Sequence, residues 1–151
     1  AGTFTIAAPL DISTLSETPC RAISDEAVTT MTLGAGQQTN PGGHLTCKWE
    51  AKDSSGQVTL TFGSLPVRAL YDNAAAQPPG SGTKTLQLKG YPGAEAATRP
   101  NGWHSCNVDV AVADGPDQQQ GFHLNLLQTA VDICPLAEDV AGEVLDSLGA
   151  H

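Results

Sequence analysis

The sequence predicts an α+β domain: a mainly antiparallel sheet of about five to six strands, flanked by three helices and stapled by two disulfides. Three observations predict it. Several stretches alternate apolar and polar residues with the period of two that marks a strand with one buried face. Three others carry apolar residues at helical spacing between start and stop signals. Four cysteines, an even number, are spread along the chain without CxxC pairs.

Taken in order, residues 1–18, "AGTFTIAAPLDISTLSET", show no period and read as a linker that settles onto the domain near Leu10 to Leu15. The single α+β domain is expected over residues 19–149. "SDEAVTTMTLG" reads as helix one. Ser24 is its N-cap, Asp25 and Glu26 suit the positive helix end, and Ala27, Val28, Met31 and Leu33 form its apolar stripe before Gly34. The Gly-, Asn- and Pro-rich stretch Gly34 to His44 reads as a loop.

"LTCKWEAKDSSGQVTLTF" is a hairpin. Leu45, Cys47 and Trp49 alternate with Thr46, Lys48 and Glu50, "AKDSSGQ" turns, and Val58, Leu60 and Phe62 alternate with Thr59 and Thr61. Pro66 opens helix two, where Val67, Leu70 and Tyr71 share a face. "TKTLQLKG" and "AEAATRP" are weaker strand candidates. "SCNVDVAVADG" points Cys106, Val108, Val110 and Val112 one way, and "FHLNLLQT" answers with Phe122, Leu124 and Leu126. "CPLAEDVAGEVLDSLGA" is the last helix, from Pro135 to a stop at Gly149. Hairpin connections dominate this order, which makes the sheet antiparallel.

Folding the last two strands about Pro116 to Gln118 brings Cys106 near Cys134, which leaves Cys20 for Cys47. This connectivity is favoured, and the other two that four cysteines permit stay open.

The net charge of -9, from 7 Lys+Arg against 16 Asp+Glu, argues against binding nucleic acid or anionic lipid headgroups. Disulfides persist in oxidising compartments, so an extracellular or cell-surface location is expected. The chain begins at Ala1 without a Met, as a processed or truncated protein would, and no signal peptide or membrane-spanning run appears in it.

"TPC" before a helix, "TCKW" opening a strand, "WHSCNVDVAVADG" and "CPLAEDVAGEVLDSL" together resemble the actinobacterial lipoproteins grouped as domain of unknown function 3558. The resemblance runs from about Pro19 to Leu148. It implies an exported protein tethered through a lipidated N-terminal Cys, a residue this sequence does not contain. It carries no catalytic residues over. The element order is also similar to mycobacterial envelope lipoproteins and kinase sensor domains.

Candidate chemistry is sparse. His44 near Cys47 and His104 near Cys106 offer too few converging ligands for zinc, so no metal and no cofactor are expected. "PPGSGTKT" lacks the Gly directly before Lys84 that a phosphate loop needs. Asp109, Asp114 and Asp117 lack calcium-loop spacing and read as a solvated turn. An enzyme would need His104, His123 and carboxylates to converge. Trp49 reads as core. Trp103, in a loop before His104, is the candidate binding anchor, with Tyr91 and Arg99 beside it. The expected function is non-catalytic: a monomeric cell-envelope domain that holds a small molecule or lipid in an apolar groove between sheet and helix. The alternative is an extracytoplasmic sensor or protein-interaction module whose envelope partner docks near Trp103.

Overall fold

The computed structural model describes residues 4–40, 45–53, 55–78, 80–99, 102–129 and 133–149. Helical segments are α1 (Ser13–Ser16), a 3-10 turn (Pro19–Arg21), α2 (Asp25–Thr30), α3 (Val67–Ala75) and α4 (Cys134–Leu148). Strands are β1 (Gln37–Thr39), β2 (Thr46–Glu50), β3 (Gly56–Leu65), β4 (Thr83–Leu88), β5 (Tyr91–Thr98), β6 (His104–Asp114) and β7 (Gln119–Gln128). All seven join one antiparallel sheet in the order β1-β2-β3-β7-β6-β5-β4. Two meanders, β1 to β3 and β4 to β7, are thus zipped together along β3 and β7, where Gly56 faces Gln128 and Leu65 faces Gln119.

Alternation sorts the sheet into two faces. Cys47, Trp49, Val58, Leu60, Phe62, Cys106, Val108, Val110, Phe122, Leu124 and Leu126 share the main core with the buried stripe of α4, Ala137, Val140, Ala141, Val144 and Leu145. Fully burying a Val, Leu or Phe side chain among these contributes roughly 1.5–3 kcal/mol. On the opposite face α3 lays Val67, Tyr71 and Ala74, spaced i, i+4 and i+7, over the β4–β6 half. Ala94 and Ala111 are small enough to let it approach. Beyond α3 that face stays polar, with Thr46 bonded to Thr61 at 2.8 Å. At Gly121 a Cβ would run into the Val110 carbonyl beside the β6 bulge, so only glycine fits there.

The expected helices and hairpins are present, and the counts differ. Among the described residues there are seven strands rather than five to six, and four α-helices rather than three. The extra strand, β1, lies in the stretch read as loop; its three residues are all exposed, so they carry no alternation to detect. The extra helix, α1, is a single turn whose only buried residue is Leu15. Helix one is capped by Ser24 accepting from Ala27 N at 3.1 Å, as expected, but ends at Thr30, short of Gly34. The last helix closes on Gly149 at φ 104°, a left-handed position that suits glycine.

The segment expected as a linker touches the domain from Phe4 onward. Phe4 packs edge-on against Tyr71 at 5.2 Å, the Leu10 amide donates to Val112 O, and the Tyr91 hydroxyl donates to Ala8 O at 2.6 Å. Leu15 is buried in the main core. Among the described residues, no helix is long and apolar enough to cross a membrane.

Candidate functional site

The cysteines pair as hairpin geometry favoured. Cys20 bonds Cys47 and Cys106 bonds Cys134, with Cα atoms 5.0 and 5.3 Å apart. The first bridge is walled by Trp49 and Gly36. A Cβ on Gly36 would come within 2.6 Å of Cys47 Sγ and 2.7 Å of the Trp49 ring nitrogen. Trp49 is core, as its place in the strand implied.

The four residues expected to form a binding surface do not share one. Tyr91 opens β5, buried, with its hydroxyl spent on Ala8 O. Arg99 lies just past the other end of that eight-residue strand, exposed, donating to Gly102 O at 3.0 Å. At about 3.3 Å per residue, the strand separates the two by more than 20 Å. Trp103 and His104 are half-buried near the Arg99 end. His44 lies outside the described residues.

His104 and His123 sit on opposite faces of the sheet, because His104 is in register with the inward Cys106 series while His123 pairs with Asp109 across β6 and β7. His123 Nδ1 is 2.8 Å from Asp109 Oδ1, and that hydrogen bond raises its pKa. Beside it Asn125 donates to Ser105 Oγ and Asn107 Oδ1 at 3.0 and 2.9 Å. These polar side chains satisfy one another. Asp109 is therefore a mid-strand partner for histidine rather than part of a turn with Asp114 and Asp117.

Two concave sites were not anticipated residue by residue. One is a groove of about 480 Å³ between α2 and α4, floored by Ala27, Met31, Leu136 and Val140 and rimmed by Glu26, Asp139 and Glu143. A second space of about 250 Å³, which shares Met31 and Leu136 with it, lies at the end of the β2–β3 hairpin, where Leu33, Val58, Leu126 and Ile133 are among its lining. Met31 and Leu136 are only partly buried, although both pack on the core. The sequence signal was available in part: Met31 and Leu136 belong to the stripes of two helices, but nothing local shows that those stripes leave a gap between them.

The other site surrounds Glu95. This residue is 4% exposed, on the inward face of β5 beneath α4, and its Oε1 has no hydrogen-bond partner. Lys84 Nζ lies 3.6 Å from Glu95 Oε2 and 3.4 Å from Glu138 Oε2, bridging β4, β5 and α4. Burial first, then a hydrogen bond to the neighbouring Glu138 carboxylate and the charge of that group, push the Glu95 carboxyl up to about 7 against the pull of Lys84. Glu95 also lies within 4.8 Å of both sulfurs of Cys106 and Cys134. Because those sulfurs are bonded to each other, they offer no thiolates to a metal. A groove of about 300 Å³ opens onto this cluster between Gly80–Lys84 and the start of α4. An acidic residue flanked by alanines in "AEAAT" gave no warning, since small neighbours blur which face is buried.

No curated protein shows significant similarity to the chain. A solved structure from Bacteroides thetaiotaomicron VPI-5482 is 9% identical with a TM-score of 0.44, covering 71% of this chain and 40% of its own length. At that level the likeness carries no argument. The family model described as "protein of unknown function (DUF3558)" matches residues 2–147, nearly the whole sequence, and the chain belongs to that family.

Proposed function

We propose that the chain is an exported cell-envelope domain of lipoprotein type that holds the apolar part of a small molecule or lipid, without catalysis, in the groove between α2 and α4. The observation that carries this reading is the groove itself. Its floor of Ala27, Met31, Leu136 and Val140 belongs to a space of about 480 Å³, within the range that small-molecule sites occupy. The acidic rim of Glu26, Asp139 and Glu143 selects the occupant: a chain or ring system with a neutral or cationic head. A net charge of -9 weighs against anionic amphiphiles at the same place. Two disulfides support an oxidising compartment.

The test is native mass spectrometry of the oxidised protein from its host's envelope, paired with titration by dodecylamine and by laurate. The reading expects a reproducible added mass, binding of the amine in preference to laurate, and loss of both in Leu136→Glu. A bare mass together with no amine binding contradicts it and moves the weight to an envelope protein partner.

A further inference from the structure

The two disulfides differ in one chemical respect: among the described residues, only Cys106–Cys134 has an acid beside it. Cys134, 6% exposed, is the first residue of the 15-residue helix α4 and lines the groove between Gly80–Lys84 and that helix, while Cys106 is wholly buried beneath it. Cys20 of the other bridge is the more exposed cysteine, so it is the acid and the groove rather than exposure that set Cys106–Cys134 apart. The Glu95 carboxyl lines the same groove, within 4.8 Å of both sulfurs, with one oxygen unpartnered. We propose that Cys106–Cys134 is an exchangeable disulfide, opened at Cys134 by an external dithiol entering this groove, with Glu95 giving its proton to the departing Cys106.

A thiolate of the dithiol attacks Cys134 Sγ, the Cys106–Cys134 bond breaks, and its electron pair leaves on Cys106. A bare thiolate in that apolar site is costly, so Cys106 takes the proton of the neutral Glu95 carboxyl, which becomes a carboxylate facing Lys84. The second thiol of the reductant, deprotonated to water, then attacks the mixed disulfide at its own sulfur. Cys134 leaves as a thiolate at the start of α4, where the helix end favours negative charge. Two electrons pass from the dithiol, which is oxidised to a disulfide, to the Cys106–Cys134 pair. The charged groups facing Glu95 are Lys84 from β4 and Glu138 from α4; across from it β6 presents Val108 and Cys106. Burial and Glu138 hold Glu95 protonated up to about pH 7, so the proton is present when it is needed.

The experiment reduces the folded protein with dithiothreitol, traps thiols by alkylation at timed points, and scores each disulfide by peptide mass spectrometry. The expected result is that Cys106–Cys134 opens at least about tenfold faster than Cys20–Cys47, and that Glu95→Gln slows only the former, by about tenfold. Divided by dithiol thiolate concentration, the wild-type rate should fall above pH 7, whereas the Glu95→Gln rate should stay flat. The wild-type profile decides alone if the variant folds poorly. Simultaneous opening of both bridges, earlier opening of Cys20–Cys47, or a normalised wild-type rate flat across pH 7 overturns the proposal.

Discussion

The two disulfides close loops of almost the same length, with sequence separations of 27 and 28, and sit in contrasting surroundings. By chain entropy alone each would contribute roughly 3–4 kcal/mol. Cys20–Cys47 ties the N-terminal turn to β2 and is filled around by Trp49 and Gly36. Cys106–Cys134 ties β6 to the start of α4 and shares its site with a buried carboxyl, a lysine and an open groove. The lesson is that loop length sets what a bridge contributes to stability, whereas its neighbours decide whether it also has chemistry.

Breaking the packing around Trp49 should have the largest effect. Trp49 is 1% exposed against the first bridge, so Trp49→Ala is expected to cost about 3–5 kcal/mol in denaturant unfolding. A loss below 1 kcal/mol would show that the bridge is not packed as described.

The acid side should respond to pH instead. Glu95 has its folded pKa raised to about 7 from an ordinary 4.5, so the folded state holds a proton that the unfolded state has released. Its contribution is present below pH 4.5 and is lost as pH rises through 7. On the order of 2–3 kcal/mol of stability should therefore disappear across that window. His123, also raised, acts in the same direction and loses its contribution as pH rises through its folded value. Glu95→Gln should match wild type at pH 4 and be the more stable protein at pH 8. Parallel stability curves for the two proteins would contradict the assignment of this pH dependence to Glu95.

The smallest effect sharpens the same comparison. Gly36→Ala puts a methyl 2.6 Å from Cys47 Sγ and 2.7 Å from the Trp49 ring nitrogen, and overpacking of that kind costs about 1–3 kcal/mol. Gly142 on α4, whose nearest neighbour to a Cβ is the flexible end of Lys89 at 3.6 Å, is the control; Gly142→Ala should be neutral or slightly stabilising. Equal losses at the two glycines would remove the distinction.

What was legible in the sequence follows from periodicity. β6 and β7 read plainly because Cys106 to Val110 and Phe122 to Leu126 alternate without interruption. The favoured cysteine pairing followed from that hairpin. β1 was hidden because an exposed edge strand has no buried face, and β5 read only as a weaker candidate from Ala94 onward because Gly93, Ala94, Ala96 and Ala97 leave alternation without contrast. Glu95 was hidden for the same reason. The sequence drew attention to Trp103 and Tyr91 because aromatics are scarce, yet scarcity does not place side chains together, and β5 holds Tyr91 and Arg99 at its two ends. The groove of about 480 Å³ is a property of how α2 and α4 meet, which no local pattern encodes.

The most direct test of the contrast between the two bridges is a carbon NMR titration of the side-chain carboxyls in the oxidised protein, with Glu95→Gln to assign the signal. One carboxyl titrating near pH 7, absent from the variant, is the predicted result. A Glu95 signal that titrates in the ordinary carboxylate range would contradict it, and would leave Cys106–Cys134 as plain a staple as its counterpart.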